Sequence, residues 1–295
     1  MKERIFDRLD RVKGDYPAVS FLVDVFEVYL DRRVSRCSAE LAYYLMMTIF
    51  PLLIMIVSAV GWLPLSAKTV TNFLLTVIPS QSFDMLSGYV SYVLSHRSSS
   101  LFAAGLLMSI TVGSAAFRCL LSASAEIYGR RNLRGIQYLL ASFVLSILLL
   151  VLVYVSLIVV LTGRWFFRWF RSFFYMIPLP GNLRWIRLLV LLGVALLFLV
   201  LLYRITAPWG SNRPTVVKGA IFTAVVLVAA SVLFSYFIGL STRYSAVYGS
   251  LTSVIILMLW LFLCGNIVIL GNVLNYVSWR RKQGLPIRYL LNKQL

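Results

Sequence analysis

Apolar residues fill long blocks of this chain, and polar residues gather almost entirely between them. The blocks run about 41–63, 101–125, 136–162, 185–206, 216–240 and 249–277. At a rise of about 1.5 Å per residue, each is long enough to cross a hydrocarbon layer of about 30 Å. Lipid offers backbone N–H and C=O groups no partners, so each block is expected to be an α-helix. The predicted fold is all-α: a polytopic membrane protein, a bundle of about six transmembrane helices with interfacial amphipathic helices beside it.

The blocks differ in kind. The first contains Pro51, which lacks an N–H and crowds the preceding turn, so a kink or break is expected there. The second is rich in small residues, among them Gly105, Ser109, Gly113, Ser114, Ala115 and Ala116, and is expected at the centre of the bundle. The third is almost wholly aliphatic, which suits a helix facing lipid. Ahead of the first block, Val19, Leu22, Val23, Phe26, Leu30 and Val34 recur at helical spacing, with Asp24, Glu27, Asp31 and Arg32 on the other side. This pattern predicts an amphipathic helix on the cytoplasmic interface or packed against the bundle. Residues 64–100 carry two further apolar patterns that read as short amphipathic helices at the outer surface. The chain therefore divides into a cytoplasmic N-terminal segment (1–40), a six-helix transmembrane domain (41–277) and a basic cytoplasmic tail (278–295).

Charge then gives orientation. Of the 28 Lys and Arg residues, twenty fall in the N-terminal segment, the connections after the second and fourth spans, and the tail. That bias places both termini in the cytoplasm. Eight of the ten acidic residues lie between Glu3 and Glu40, leaving only Asp84 and Glu126 beyond. The net charge of +18 is thus loop charge on anionic headgroups rather than a nucleic-acid platform. No cleavable signal sequence is evident, and the expected location is a bacterial cytoplasmic membrane.

One connection departs from the charge bias. Residues 164–187 interleave Arg164, Arg168 and Arg171 with Trp165, Phe166, Phe167, Trp169 and Phe170. An aromatic belt at the outer headgroup level accounts for this. The same three arginines are also candidates for binding anionic headgroups through guanidinium forks.

Ala42-Tyr43-Tyr44 followed by Ile49-Phe50-Pro51-Leu52-Leu53 resembles a signature of the YihY/virulence-factor BrkB family. Further matches follow in order: Ser114 to Tyr128, Ala207-Pro208 ahead of Lys218-Gly219-Ala220, Tyr244 with Tyr248-Gly249-Ser250-Leu251, then Trp260 and Leu270-Gly271. The resemblance spans roughly residues 20–280. It implies a six-helix inner-membrane protein and suggests transport of an envelope component; members have also carried a ribonuclease label. Where the family closes on Gly-Ala-Glu-Leu-Asn, this chain has Gly271-Asn272-Val273-Leu274-Asn275 and lacks the glutamate.

The chemistry on offer is sparse. Cys37, Cys119 and Cys264 are scattered and His96 stands alone, so no metal-ligand spacing exists and no cofactor is expected. Nuclease chemistry needs clustered carboxylates or histidines, and no phosphate-binding loop is present. No catalytic residue is assigned, and the chain is not expected to be an enzyme. Ionisable groups in or bordering the spans are better candidates, because burying them in hydrocarbon costs several kcal/mol unless they are paired or hydrated. Glu40 opens the first span, Arg118 lies in the second, Glu126 ends it, Arg204 ends the fourth and Lys218 begins the fifth.

Glu126 could form a local pair with Arg130, or one side of a cytoplasmic gate with Arg204 or Arg118. Snorkelling accounts for Arg204 and Lys218 almost as well. Tyr43, Tyr44, Tyr244 and Tyr248 offer hydroxyls, while Asn272 and Asn275, with Asn266, either line a hydrated path or bond helices together. These residues and Pro51 form the candidate substrate path. The expected function is a transporter or flippase of an amphiphilic, anionic envelope lipid or precursor, with membrane lipids as partners and no nucleic acid. The alternatives are a non-transporting scaffold and a small-solute channel.

Overall fold

The structure, a computed structural model, describes residues 17–60, 99–129, 135–173, 183–208, 214–240 and 251–285. The described secondary structure is helical throughout: α1 (Pro17–Asp31), α2 (Val34–Val60), α3 (Ser99–Ile127), α4 (Ile136–Phe173), α5 (Leu183–Thr206), α6 (Val217–Leu240) and α7 (Leu251–Lys282). Six of them, α2 to α7, are long and apolar enough to cross a membrane. The expected all-α polytopic bundle is the observed one.

Consecutive spans pack side by side, and α7 returns against α2, so the six close into a ring. The small-residue helix α3 crosses inside this ring to α7 and also touches α5. Lipid tails are as apolar as leucine, so helices associate here by close packing and hydrogen bonds. Glycines set the closest approaches. A Cβ on Gly105 of α3 would stand 2.8 Å from the Met55 nitrogen and 3.1 Å from the Pro51 carbonyl oxygen of α2. One on Gly113 would stand 2.6 Å from the Ser146 hydroxyl of α4. Between α6 and α7, a Cβ on Gly219 would collide with the Gly271 carbonyl and Asn275, and one on Gly271 with the Thr223 and Tyr203 hydroxyls.

Two expectations are corrected and one is narrowed. Of the kink or break expected at Pro51, the break is absent: α2 runs unbroken from Val34 to Val60. The proline removes one rung of the ladder, but α3 lies against its carbonyl at Gly105 and holds both halves together. The stretch from Arg164 is helix rather than loop as far as Phe173, because the first strong breakers, Pro178 and Pro180, come later. The N-terminal helix α1 buries charge as well as apolar surface. Asp24, Glu27 and Asp31, with Arg32 just past its end, are buried alongside Val23, Val25 and Val28, whereas Leu22 and Phe26 are 66% and 48% exposed. The apolar pattern had placed the charges on the open side, but the basic end of α7 meets Asp24 there. The short amphipathic helices read between 64 and 98 lie outside the described residues.

Turn geometry fixes the ends. Arg33 adopts a left-handed φ of 48° and separates α1 from α2. Gly284, at φ 63°, closes α7 with bonds from its own N–H to the Arg281 carbonyl and from Leu285 to the Arg280 carbonyl.

Gly271→Ala is expected to lower stability by about 1–3 kcal/mol through overpacking at the α6–α7 crossing. Thermal unfolding in detergent, followed by tryptophan fluorescence, measures it. Gly193→Ala is the control, since nothing lies within 4 Å of a Cβ there, and its midpoint should hold or rise.

Candidate functional site

On α3 one stripe stays outside the packing. Leu107, Met108 and Thr111 are exposed, Ala115, Arg118 and Ser122 are half-buried, and Glu126 is exposed. Their spacing of three and four residues puts them on one face. The opposite residues of α3, among them Gly113, Ala116, Leu120 and Ser124, are buried against the bundle. This stripe is the floor of a groove. On one side α2 presents exposed Arg36, Glu40, Tyr43, Met47 and Phe50. On the other, Tyr138 of α4 donates its hydroxyl to the Arg118 carbonyl at 2.5 Å and receives one from Ser122 at 3.3 Å. Among the described residues, α2 and α4 share no packed face that would close the groove.

Arg118 is the unusual member. It lies nine residues before Ile127, the end of its span, which is about 14 Å along the helix axis. A helical side chain leans toward the N-terminus of its helix, and for α3 that direction leads away from the α1 end of the bundle. The contacts agree. Arg118 Nη1 donates to Ser114 Oγ one turn back at 3.1 Å, and Ser114 in turn donates to the Thr111 carbonyl at 2.7 Å. The guanidinium therefore reaches deeper into the membrane-crossing region.

Glu40 and Glu126 both stand within electrostatic reach of Cys37, and Glu40 within hydrogen-bond reach of Cys119, the residue after Arg118. Cys119 itself donates to the Cys37 carbonyl at 3.5 Å. Glu40 leans toward the α1 end while Arg118 leans away from it. Among the described residues no ion pair joins Arg118 to Glu40, and none joins Glu126 to Arg118 or Arg204. The expected gate pairs are therefore not formed in this conformation: Glu126 stands eight residues, about 12 Å along the same helix, from Arg118, and Arg204 is exposed at the end of α5.

The remaining candidates separate. Lys218 is exposed in the first turn of α6, and, like Arg204, has free access to the membrane boundary. Tyr44 turns inward with the Tyr43 ring edge-on at 5.4 Å. Asn272 and Asn275 bond helices together instead of lining a path, being 2% and 0% exposed. Asn272 receives the Tyr128 hydroxyl at 3.2 Å and donates to Ser124 Oγ at 2.7 Å, both across to α3. Burial holds the Tyr128 phenol above its ordinary value, so it stays a neutral donor. Asn275 receives the Gly219 N–H at 2.8 Å, capping an open donor in the first turn of α6. Tyr244 and Tyr248, and the side chains of Arg164, Arg168 and Arg171, lie outside the described residues.

Two contacts had no warning in the sequence. Tyr203 of α5 donates to the Val268 carbonyl of α7 at 2.7 Å and receives the Thr223 hydroxyl of α6 at 2.7 Å, tying three helices at one atom. It is the one tyrosine of this span, directly after the apolar run 188–202, which was the available signal. Arg281, expected in a free basic tail, turns inward from the last turn of α7. It donates twice to Asp24 Oδ2, once at 2.7 Å through Nε and once through Nη2, and Nη2 also reaches Ser20 at 2.6 Å. The Phe21 ring lies 5.5 Å from its guanidinium carbon. Tyr29 adds a bond to Asn266 at 2.8 Å.

Comparison with known proteins adds the family. The virulence factor BrkB family model matches residues 25–288, the whole six-helix bundle and the second half of α1. The chain belongs to the virulence factor BrkB family. Among relatives, the putative ribonuclease-like protein YfkH of Bacillus subtilis is 26% identical over 274 residues, covering 90% of this chain and 97% of its own. A UPF0761 membrane protein of Chromobacterium violaceum is 26% identical over 265 residues, 85% of this chain and 61% of that protein. The UPF0761 membrane protein PA0951 of Pseudomonas aeruginosa is 41% identical over a shorter stretch of 69 residues, 22% of this chain and 17% of its own. No solved structure matches the chain. In this BrkB-family chain, Arg118 is the described charge set farthest from both ends of its span.

Arg281→Ala is expected to destabilise the docking of α1 by about 1–2 kcal/mol, less than a fully buried pair because Arg281 is a third exposed. Limited proteolysis near Arg33 should accelerate several-fold, and Arg281→Lys should restore only part of the protection, having lost the fork. Unchanged cleavage would show that Asp24 is not what holds α1.

Proposed function

We propose that this multi-pass membrane protein moves an amphiphilic lipid or lipid precursor bearing an anionic group between the leaflets of a bacterial cytoplasmic membrane, with both termini cytoplasmic. The single observation that supports this reading is Arg118. A guanidinium within a span costs several kcal/mol unless it meets water or an anion. Arg118 faces a groove open to the side and leans away from the nearer membrane boundary, with a serine hydroxyl as its described partner. An anion carried on an amphiphile can reach it laterally while the acyl part stays in lipid. The reading includes no catalytic step. Recruitment of partners by the basic tail fits less well, because Arg281 is already engaged by Asp24 and Ser20.

The test is translocation of fluorescent lipids from one leaflet in liposomes holding the purified full chain. Arg118→Gln is expected to lower the rate at least tenfold with folding unchanged, and Arg204→Gln to leave it within twofold; figures of this order follow from removing one charge-assisted contact of about 1.5–3 kcal/mol. Absence of translocation by the folded wild-type chain for any phosphate-bearing lipid, anionic or zwitterionic, would remove the reading. Orientation has its own check. Alkaline phosphatase fused after Leu295 should be inactive, and an active fusion would reverse the assignment.

A further inference from the structure

The groove on α3 carries its charges in a particular order. Starting from the end away from α1, its floor and the α2 wall are apolar: Leu107 and Met108, with Met47 and Phe50 alongside, are 45–63% exposed. The cation Arg118 comes next, anchored on Ser114. Beyond it, toward the α1 end, come the two carboxylates Glu40 and Glu126, both exposed, with Arg36 one turn below Glu40 at the rim. Along one face the order is therefore apolar, positive, negative, with Arg36 as a second cation at the rim.

A lipid standing in the adjoining leaflet presents the complementary order if its headgroup is zwitterionic. Its acyl chains lie toward the bilayer centre, its phosphate comes next, and an ammonium lies farthest out. We infer that the α3 groove is a seat for a single aminophospholipid, its phosphate on Arg118 and Ser114 and its primary ammonium on Glu40 and Glu126. The inference builds on the transport reading only in placing a lipid in this groove; it concerns binding and narrows the headgroup. The two carboxylates decide between headgroups. A purely anionic lipid such as a phosphatidylglycerol would satisfy Arg118 but set its outer hydroxyls, without positive charge, against two acidic side chains. A primary ammonium offers three N–H donors to them, whereas a quaternary ammonium offers none.

The separation of Arg118 from Glu40 points the same way. The two face one groove on tightly packed helices, yet lean in opposite directions along it, and among the described residues no ion pair neutralises them. A ligand with its own opposite charges in matching order satisfies both without moving either helix. Tyr138 supports the seat without touching the headgroup. Its hydroxyl fixes the Arg118 carbonyl and Ser122, holding α3 and α4 at this height.

Native mass spectrometry of the full chain in detergent tests this directly. The probes are dioctanoyl phosphatidylethanolamine, phosphatidylglycerol and phosphatidylcholine, each titrated against the wild type and two variants. The wild type is expected to retain phosphatidylethanolamine about tenfold better than either of the others, the worth of one charge-assisted contact. Arg118→Gln should lose all three alike. Glu40→Gln combined with Glu126→Gln should bring phosphatidylglycerol up to at least the level of phosphatidylethanolamine. That gain of binding cannot arise from a misfolded variant. Equal retention of the three lipids by the wild type would overturn the inference, as would unchanged preference in the double variant. Protection of the complex by inorganic phosphate alone, at the same concentration as lipid, would show a free-anion site and also overturn it. Selective binding without translocation would remove the transport reading and leave the seat. Translocation without selectivity would do the reverse.

Discussion

The last helix holds every neighbour it touches through a polar bond or a bare glycine, and the rest of the bundle depends on that. Asn266 takes α1 through Tyr29, the Val268 carbonyl takes α5 through Tyr203, Asn272 takes α3, and Asn275 takes the open first turn of α6. Gly265 lets α2 approach, with a Cβ there only 3.2 Å from the Ser38 carbonyl. In lipid the alternatives to these bonds are poor, since a released amide or hydroxyl finds no water in the hydrocarbon. Each bond is worth about 0.6 kcal/mol on average in such settings. Their value lies in register, because four bonds along one helix cannot slide together. The partners are concentrated in the half of α7 nearer α1. That half of the ring is thereby fixed, and the far half relies on apolar contacts such as Trp260 against Phe234 at 4.8 Å.

A fixed lower half explains why α1 can turn its charges inward. Alone, a helix bearing Asp24, Glu27 and Asp31 on one face and Leu22 and Phe26 on the other would send the acids to water. Against the bundle it meets Arg281, placed by the last turn of α7, where a cation also favours the helix dipole. Docking buries Asp24 beside that cation and Val23, Val25 and Val28 against the bundle, and leaves Leu22 and Phe26 outward, where lipid at the boundary accepts them without cost. The outward placement of these two residues is thus the ordinary rule applied to a different solvent. In water, polar residues face outward; at the edge of a bilayer, outward is apolar.

This also marks what the sequence could disclose. The six spans were legible because length and the absence of charge are local properties, readable without knowing what packs on what. The central place of α3 was legible from Gly105, Gly113 and Ser114, since small residues have few other uses in a span. The direction in which a polar residue points was not. The asparagines of α7 have the same spacing whether they line water or bind helices, and only their partners on α3 and α6 distinguish the two. Tyr203 had no motif at all. Arg281 read as tail because a basic residue after a span normally remains in water, and its acid lies 257 positions away in the chain. Of the candidate site, Glu40, Arg118 and Glu126 were legible individually, as charges too costly to be incidental. Their arrangement as one face required the packing of α2 and α4 on either side of α3.

That arrangement bears on why Arg118 does not snorkel. An arginine about 14 Å from the end of its helix could extend its stem toward the nearer boundary, and most do. Two features of this chain oppose it. Side chains of α3 lean toward its N-terminus, away from that boundary, and the direct path outward passes Ser122 and the Tyr138 ring, which are bonded to each other and to the Arg118 carbonyl. Ser114 then offers the guanidinium a hydroxyl on the deeper side, itself fixed by the Thr111 carbonyl. One neutral hydroxyl does not match the five donors of a guanidinium. The helix packing thus maintains a cation in a position that the protein's described groups satisfy only in part, beside a groove open to lipid. A charge held this way is stable when the membrane supplies the remaining acceptors, and phosphate oxygens are the acceptors a membrane has.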